Sequence, residues 1–209
     1  MTGTVTQIGP VTRLPVDEDA TGRPVAIYEA HKATCENYLA IYHRVFGLRT
    51  TMLRLSNVFG ERQQIDDPKR GIVNLMIGRA LRGEPITVYG DGSFLRDYNY
   101  VPNVVDALLM AAASPLTKGE FYVVGSGVGT TFLDMMKRIV ETVATLGHGR
   151  TAIEFVPFPA QHALIDQGNF VVDATRLREA TGWTPVISLE EGLDRTARFC
   201  QERLAAQGT

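Results

Sequence analysis

Cysteine is scarce in this chain, and its scarcity excludes two common architectures. The 209 residues include two cysteines, Cys35 and Cys200, and neither belongs to a Cys-x-x-Cys pair. A disulfide framework or a structural zinc site needs more thiols at closer spacing. The four histidines show no ligand spacing with carboxylates or thiols. The sequence therefore predicts neither a disulfide framework nor a metal site.

Long apolar runs and a strong charge imbalance are also missing. No apolar stretch approaches the roughly 18 residues needed to span a bilayer, and Met1 is followed by polar residues rather than by a signal sequence. The net charge is −2, so nothing draws the chain to nucleic acid or to an anionic membrane. These absences predict a cytoplasmic globular protein without a nucleic-acid or membrane partner.

What the sequence does contain is an alternation of short β-prone segments with helical patterns. Residues Thr2–Ile8 are β-prone and end at Gly9-Pro10, Ile27–Phe46 has helical spacing and ends at Gly47, and Thr50–Leu55 is a compact apolar strand candidate. A strand, a long helix and a second strand in this order indicate a parallel α/β unit.

The rest of the chain continues the same alternation without repeats or flexible linkers. The later predicted elements are a helix over Gly71–Leu81, a β-hairpin-like pair formed by Ile86–Tyr89 and Leu95–Val101 around an Asp-Gly turn, a helix opening at Pro102, a strand over Phe121–Val124, a helix capped by Thr130 or Thr131, a strand over Ile153–Val156, a short helix capped by Asp173, and a last helix over Leu189–Ala205.

Tyr28 and Lys32 are four residues apart at the start of the first helical pattern, and therefore on one helix face. An ammonium beside a phenol favours the phenolate and lowers the tyrosine pKa from about 10, which would suit a general base. Such a pair also arises by chance in many helices. Lys32 lies on the apolar stripe of this helix, which we expect to face inward; the stripe comprises Tyr28, Cys35, Leu39, Tyr42 and Phe46.

Four motifs occur in a fixed order along the chain. They are Tyr28-x-x-x-Lys32, Arg54-Leu-Ser-Asn-Val-Phe-Gly60, Gly90-Asp-Gly-Ser-Phe-Leu-Arg-Asp-Tyr-Asn-Tyr-Val101 and Gly182-Trp-Thr-Pro185. In this order they resemble the NAD-dependent nucleotide-sugar epimerases and dehydratases of the extended short-chain dehydrogenase/reductase family. The resemblance implies a Rossmann-type parallel sheet with a small α/β substrate-binding domain, and NAD as cofactor, with NADP not excluded.

The resemblance also implies a role for particular residues. Thr4 matches the catalytic serine or threonine, Tyr28 the acid/base, and Lys32 the lysine that holds the nicotinamide ribose and lowers the tyrosine pKa. Tyr28, Lys32 and Ser56 would contact the cofactor. The residues that would contact a nucleoside-diphosphate sugar are Asn57, Arg96 and Tyr100, with the Arg96 guanidinium suited to phosphate oxygens.

The implied reaction is epimerisation through a keto-sugar. In the dehydratases of the family an Asp-Glu pair follows the catalytic threonine, whereas Val5 and Thr6 occupy those positions here. This favours an epimerase, or a reductase, over a dehydratase. The loop Pro159–Leu164 lacks the substrate-side arginine that the family usually carries in this region.

The family's Gly-x-x-Gly-x-x-Gly turn, which cradles the cofactor pyrophosphate, is absent from the 209 residues. The glycine-rich stretch Gly125–Gly129 follows the catalytic motif, and we interpret it as a strand-to-helix turn. The chain thus resembles the last two-thirds of such an enzyme. Residues 1–60 would belong to the dinucleotide-binding domain and 61–209 mainly to the substrate domain, with about 98–125 returning to the Rossmann sheet.

Two further interpretations stay open at this point. The chain could be a catalytically inactive remnant that binds a nucleotide sugar or a partner chain, or an unrelated α/β protein with chance motifs. By the family resemblance, the helix that carries Tyr28 would pair with its counterpart in a homodimer.

Overall fold

The computed structural model of the protein describes residues 1–67, 71–158 and 168–207. Strands and helices alternate along it, and this confirms the predicted α/β class. The described strands are β1 (Thr2–Thr4), β2 (Met52–Leu55), β3 (Asn57–Phe59), β4 (Ile86–Tyr89), β5 (Leu95–Tyr100), β6 (Phe121–Val124), β7 (Gly129–Thr131) and β8 (Ile153–Val156). The described helices are α1 (Ile27–Phe46), α2 (Ile72–Leu81), α3 (Val101–Ala113), α4 (Phe132–Thr145), α5 (Thr175–Thr181) and α6 (Leu189–Gln207). The loop Pro159–Leu164 lies outside the described residues.

The first sheet is parallel and has the strand order β1-β2-β6. Its central strand, β2, places Leu55 beside Thr4 of β1 and beside Val124 of β6. The carboxyl ends of parallel strands meet at one edge of a sheet, where doubly wound folds bind their ligands. The residues that follow Thr4, Leu55 and Val124 therefore meet at that edge.

β1 is shorter than the sequence predicts, so the expected strand Thr2–Ile8 is wrong beyond Thr4. Val5–Ile8 form a 3-10 helix instead. The Thr4 side chain accepts from a backbone N–H of this turn, and the Gln7 side chain reaches back to the Thr4 backbone, so the two residues form a capping box. Local capping outweighs the β preference of valine and isoleucine here.

The predicted β-hairpin is also wrong, because β4 and β5 do not pair with each other. β4 pairs in parallel with β8, whereas β5 pairs in parallel with β3 and antiparallel with β7. The turn between them is real: Ser93 N–H donates to the Asp91 side chain at 2.9 Å, and Gly90 and Gly92 have positive φ. It sends β5 into a different sheet from β4.

The helix ends predicted from local signals are mostly confirmed. α1 ends at Gly47 in the left-handed conformation, and Thr131 caps α4 by accepting from Asp134 N–H at 3.0 Å. Asp173 accepts from Thr175 N–H at 2.9 Å, but the residue at the N-cap of α5 is Ala174, so the predicted cap is wrong by one residue.

The largest core group joins the second half of the chain. α2, α4 and α6 pack together over β4 and β5, and their buried side chains include Ile77, Met135, Met136, Ile139 and Leu193. A separate group around Trp183 packs α3 and α5 against β2 and β6. The first sheet is thus packed by the group around Trp183, whereas the larger group packs the strands of the second half of the chain.

α1 does not bury the stripe that its spacing predicts. Tyr28, Tyr42 and Phe46 are 58%, 50% and 70% exposed, and the buried residue of this helix is Glu29. Cys35 and Leu39 of the stripe are half-buried, so the exposed apolar face lies at its two ends, and the inward orientation expected from periodicity is wrong there.

Candidate functional site

Thr4 ends β1 at the carboxyl edge of the first sheet and is fixed by the turn that follows. Its backbone N–H donates to Gln7 Oε1 at 3.2 Å, and its hydroxyl lies 2.9 Å from the hydroxyl of Thr6. A Cβ at Gly3 would lie 2.6 Å from Gln7 Oε1, so glycine at this position lets the Gln7 side chain close over the strand. The predicted catalytic hydroxyl is thus part of a rigid turn.

Tyr28 and Lys32 lie together on the first turns of α1. The Lys32 ammonium lies over the Tyr28 ring, 5.7 Å from its centroid, and donates to the carbonyl oxygen of Thr2 at 3.0 Å. Lys32 thereby ties α1 to the strand that carries Thr4. Three predicted catalytic residues, Thr4, Tyr28 and Lys32, therefore belong to one small region.

The pKa of Tyr28 is raised, and the sequence-based expectation of a lowered pKa is wrong for this structure. Partial burial of the phenol is the first cause and the neighbouring charge of Glu29 is the second. Both disfavour the phenolate. The Lys32 ammonium lies over the ring and donates to Thr2 O, and its charge is not among the causes of the shift in the Tyr28 pKa.

A chain of polar contacts holds α1 against the sheet. Gln7 Nε2 donates to Glu36 Oε2 at 2.8 Å, and Arg54 of β2 binds the same carboxylate through two nitrogens at 2.9 and 2.5 Å. The Arg54 guanidinium also lies 3.9 Å from the centroid of the Phe121 ring. Thr4, α1 and β2 are therefore linked through the Glu36 carboxylate.

The glycine-rich stretch after β6 encloses a buried carboxylate. Asp97, which is fully buried, accepts from the backbone N–H groups of Ser126 at 2.7 Å and Gly127 at 2.9 Å and from the Ser126 hydroxyl at 2.8 Å. Burial raises the pKa of Asp97, while these hydrogen bonds oppose the shift. A Cβ at Gly125 would lie 2.5 Å from Asp97 Oδ2. The backbone of this stretch thus binds the Asp97 carboxylate. The predicted strand-to-helix turn also contains a short strand, β7, which pairs antiparallel with β5.

Ser56, predicted to contact the cofactor, follows β2 at the carboxyl edge. Its N–H donates to Val124 O at 2.9 Å, and its hydroxyl is directed at Asp97 Oδ1 at 3.5 Å. Ser56 therefore shares the edge with Thr4 but turns its hydroxyl toward the glycine-rich stretch.

The predicted substrate residues lie on β3 and β5, farther along the chain. Asn57 begins β3 opposite Tyr98 and is partly exposed. Arg96 is 9% exposed and donates to the backbone oxygens of Leu95 at 2.9 Å and of Gly168. Its guanidinium lies 4.7 Å from the centroid of the Phe94 ring.

Tyr100 lies in the core rather than beside the predicted catalytic residues. It is 2% exposed, its ring lies 5.6 Å from that of Phe59, and its hydroxyl donates to Glu61. Burial, and then the contact with Glu61, raise its pKa. The structure joins the start of α1, which carries Tyr28 and Lys32, to the strand that ends at Thr4, and it leaves Arg96 and Tyr100 in separate surroundings on β5.

Sequence reasoning missed four residues that organise this region: Thr6, Glu29, Glu36 and Asp97. A signal was available for two of them, because Glu29 and Glu36 stand three residues before and four residues after Lys32 on the same helix. The roles of Thr6 and Asp97 depend on contacts with residues 23 and 29 positions away.

In the described part of the chain no group of histidine, cysteine and carboxylate side chains could hold a metal ion, and no described helix is long and apolar enough to cross a membrane.

Residues 1–125 match the model of the NAD dependent epimerase/dehydratase family. The chain belongs to this family. It is 33% identical over 191 residues to the UDP-glucose 4-epimerase of Mycolicibacterium smegmatis, a match that covers 90% of the chain and 57% of that relative. It is 28% identical over 190 residues to the dTDP-glucose 4,6-dehydratase of Haemophilus influenzae, covering 87% of the chain and 54% of the relative.

Solved structures of the epimerase/dehydratase family share the fold. The UDP-glucose 4-epimerase of Thermotoga maritima with UDP-glucose matches with a TM-score of 0.87 at 32% identity, over 97% of the chain and 63% of that structure. The UDP-glucose 4-epimerase of Thermus thermophilus in complex with NAD matches with a TM-score of 0.83 at 28% identity, over 96% and 63%. The chain spans 57% and 54% of the length of the two curated relatives described above. The family is NAD-dependent and acts on nucleotide sugars by epimerisation, dehydration or decarboxylation.

The residues at the predicted cofactor position fit the ribose side of NAD. The Tyr28 phenol is exposed, and the Lys32 ammonium is close beside it, so a hydroxyl and a cation are available to a ribose diol. The pyrophosphate side has no matching element among the described residues, because the glycine-rich turn encloses Asp97.

Proposed function

We propose that the chain carries the catalytic and sugar-binding part of an NAD-dependent nucleotide-sugar epimerase. The observation that supports this most is the hydrogen bond from Lys32 to Thr2 O, which fastens the helix start that carries Tyr28 and Lys32 to the strand that ends at Thr4. Relatives named as UDP-glucose 4-epimerases at 32–33% identity support the same class.

In the proposed reaction Tyr28 exchanges a proton with a sugar hydroxyl, which the Thr4 hydroxyl positions. Lys32, with Tyr28 and Ser56, would hold the cofactor. NAD, when bound, supplies the hydride acceptor and donor. The contribution of the protein is position and charge at the hydroxyl, because the difficult step belongs to the cofactor.

The nucleoside diphosphate would be bound by Asn57, Arg96 and Tyr100. Arg96 keeps a planar guanidinium among aromatic rings near the start of β5, a setting that suits a bidentate contact with phosphate oxygens. The hydrogen bonds of Arg96 to Leu95 and Gly168 would have to be shared with such a ligand.

An epimerase is favoured over a dehydratase because Val5 offers no carboxylate beside Thr4. The side chain of Val5 is 2% exposed and packs in a small apolar group. A dehydratase or a reductase of the same family remains the alternative activity, since one of the relatives is named as a dehydratase.

An inactive, ligand-binding remnant is the second candidate function. The raised pKa of Tyr28 and the hydrogen bond that holds Lys32 at Thr2 favour it. The two candidates differ in turnover, and both allow binding of a nucleotide sugar.

Turnover decides between them. The experiment assays a panel of UDP- and dTDP-hexoses with NAD, using the 209-residue chain alone and the chain co-expressed with the first part of the Mycolicibacterium smegmatis relative, which this chain does not cover. We expect NAD-dependent conversion to the epimer in the co-expressed sample. We expect no measurable NAD affinity for the chain alone, because it holds no Gly-x-x-Gly-x-x-Gly turn.

Two variants serve as controls in this assay. Tyr28→Phe should abolish conversion, whereas Tyr38→Phe, an exposed tyrosine farther along α1, should leave it unchanged. Binding of a nucleotide sugar without conversion in any sample would overturn the epimerase proposal and support the remnant.

We also propose a homodimer formed through α1, a cytoplasmic location, and a domain boundary near residue 60. The exposed apolar face of α1 supports the dimer. The location rests on composition alone, and the boundary rests on the change from the first sheet to the second.

A further inference from the structure

Glu29 places a carboxylate beside the catalytic region without a strong partner. It is 7% exposed although it follows the exposed Tyr28 directly. The hydroxyl of Thr6 donates to Glu29 Oε1 at 3.4 Å. The second oxygen, Oε2, is buried and has no hydrogen-bond partner in the described part of the chain. A buried carboxylate that is incompletely satisfied is costly, so its position calls for a reason.

The hydroxyls of Thr4 and Thr6 connect this carboxylate to the predicted catalytic position. Their oxygens are 2.9 Å apart. A carboxylate accepts hydrogen bonds and cannot donate, so the single proton of the Thr6 hydroxyl is directed to Glu29. Thr4 must then donate to Thr6. This fixes the direction of the chain as Thr4 to Thr6 to Glu29.

The same direction leaves Thr4 ready to accept a proton. The Thr4 hydroxyl oxygen receives the Thr6 backbone N–H at 3.4 Å, and one lone pair is left. Because its own proton points to Thr6, the free side of Thr4 can accept a hydrogen bond from a hydroxyl that approaches the carboxyl edge.

We propose that Thr6 and Glu29 are relay residues that carry the proton of the substrate hydroxyl from Thr4 to the buried carboxylate. The proposal rests on the function proposed above. The substrate proton passes to Thr4, the Thr4 proton to Thr6, and the Thr6 proton to Oε1 of Glu29, which becomes a carboxylic acid. Three O–H bonds break and three form. The electron pair of the substrate O–H bond stays on the substrate oxygen, so the proton transfer itself needs no oxidant.

The raised pKa of Tyr28 supports a proton acceptor other than Tyr28 at this site. Its pKa is raised, first by burial and then by Glu29, and the phenol therefore keeps its proton to higher pH. A protonated phenol can give a proton to a carbonyl oxygen but cannot take one from a hydroxyl. The relay supplies the acceptor, and Tyr28 supplies the donor for the return step. The proton on Glu29 then passes back through Thr6 and Thr4 to the Tyr28 phenolate, which restores both groups for the next turnover.

A first experiment tests the relay on the chain alone, without cofactor or turnover. Glutamate is labelled with ¹³C at the side-chain carboxyl, and the Glu29 signal is identified by its loss in Glu29→Gln. We expect Thr6→Val to move the signal, Thr4→Val to move it as well through Thr6, and Thr6→Ser to restore it. The control is Thr34→Val, since Thr34 lies on α1 and donates to Ala30 O.

The Thr4 variant separates a relay from a structural tie. If Thr6 merely fastens α1 to the 3-10 turn, Thr6→Val moves the Glu29 signal and Thr4→Val leaves it in place. That result, or an unchanged signal in both variants, would overturn the relay.

A second experiment measures turnover in the co-expressed sample described above. Thr6→Val should lower kcat by about 100-fold, within the range of general acid–base contributions, with KM little changed, and Thr6→Ser should recover most of the loss. The dependence of kcat on the fraction of D₂O should be curved in the parent protein, because several protons move, and linear in Thr6→Val. Parental kcat in Thr6→Val would refute the relay. If no sample turns over, the proposed function fails, and the carboxyl signal decides on the relay by itself.

Discussion

Tyr28 and Glu29 are adjacent in the sequence, yet α1 directs them to different surroundings. The phenol is mostly exposed, whereas the carboxylate is buried against the 3-10 turn that follows β1. The Tyr-x-x-x-Lys motif specifies the tyrosine and the lysine, but it does not specify the residue at the position of Glu29. At the scale of a residue, the chemistry of Tyr28 therefore depends on a neighbour that the motif leaves variable.

The pKa of Tyr28 gives a direct test of that dependence. Replacing Glu29 with glutamine keeps the shape and removes the charge, so one of the two causes that raise the pKa disappears. We expect the pKa of Tyr28 to fall toward its ordinary value of about 10 while part of the rise, due to burial, persists. A pH titration of the ¹³Cζ signal of Tyr28 measures it. Glu179→Gln on the exposed face of α5 serves as control, and an unchanged or higher Tyr28 pKa in Glu29→Gln would contradict the assignment.

At the scale of an element, α1 is held by one carboxylate that joins three segments. Glu36 receives Gln7 from the 3-10 turn and Arg54 from β2. The side chains of Arg54 and Glu36 are 11% and 14% exposed, so water screens this pair poorly. The register of α1 along the sheet, and with it the position of Lys32, depends on this contact.

Removing one member of the Arg54–Glu36 pair should lower the free energy of unfolding more than removing both members. Arg54→Met leaves the Glu36 carboxylate without its cation, and we expect a loss of about 3 kcal/mol in the free energy of unfolding, at the lower end for a buried pair. The double variant Arg54→Met with Glu36→Met should be more stable than Arg54→Met alone. Urea unfolding measures all of them. Asp194→Asn, which breaks the exposed pair with Arg198, should cost clearly less, and a double variant less stable than Arg54→Met would contradict the argument.

At the scale of the whole molecule, α1 presents a face of large apolar side chains to solvent. Ile41, Tyr42, Val45 and Phe46 are 44%, 50%, 67% and 70% exposed. These side chains follow one another at helical spacing, so they form a continuous patch rather than scattered exposed residues.

We expect this patch to make the chain a dimer in solution. Tyr42→Lys places a charge in the middle of the patch and should shift the chain to monomer, because a buried unpaired charge is costly. Sedimentation velocity at several concentrations measures the mass. Val186→Lys, at a side chain 75% exposed elsewhere, should leave the mass unchanged. A parent chain that sediments as a monomer throughout would contradict the proposed dimer.

The sequence was most informative where the determining contacts are local. Gly47 and Thr131 end and begin their helices as predicted because each signal acts within one turn. The hairpin failed because β4 finds its partner in β8, more than 60 residues later, and adjacency along the chain says little about such pairing. The burial of Glu29 and the pKa of Tyr28 depend on how the 3-10 turn meets α1, which no periodicity encodes. The spacing of Tyr28 and Lys32 predicts that they share a helix face, whereas the role of Thr4 beside them follows from the family resemblance alone.

The edge of β1 that faces away from β2 is also the place where the Lys32 side chain is held. Thr2 O and Thr4 N–H point away from β2, and the side chains of Lys32 and Gln7 occupy them. A strand that docks along this side needs the same two groups for its ladder, so it competes with both side chains. Docking would release the Lys32 ammonium toward Tyr28 and Gln7 from Thr4. Strand addition and the availability of the lysine are thus coupled as two alternative states of one edge.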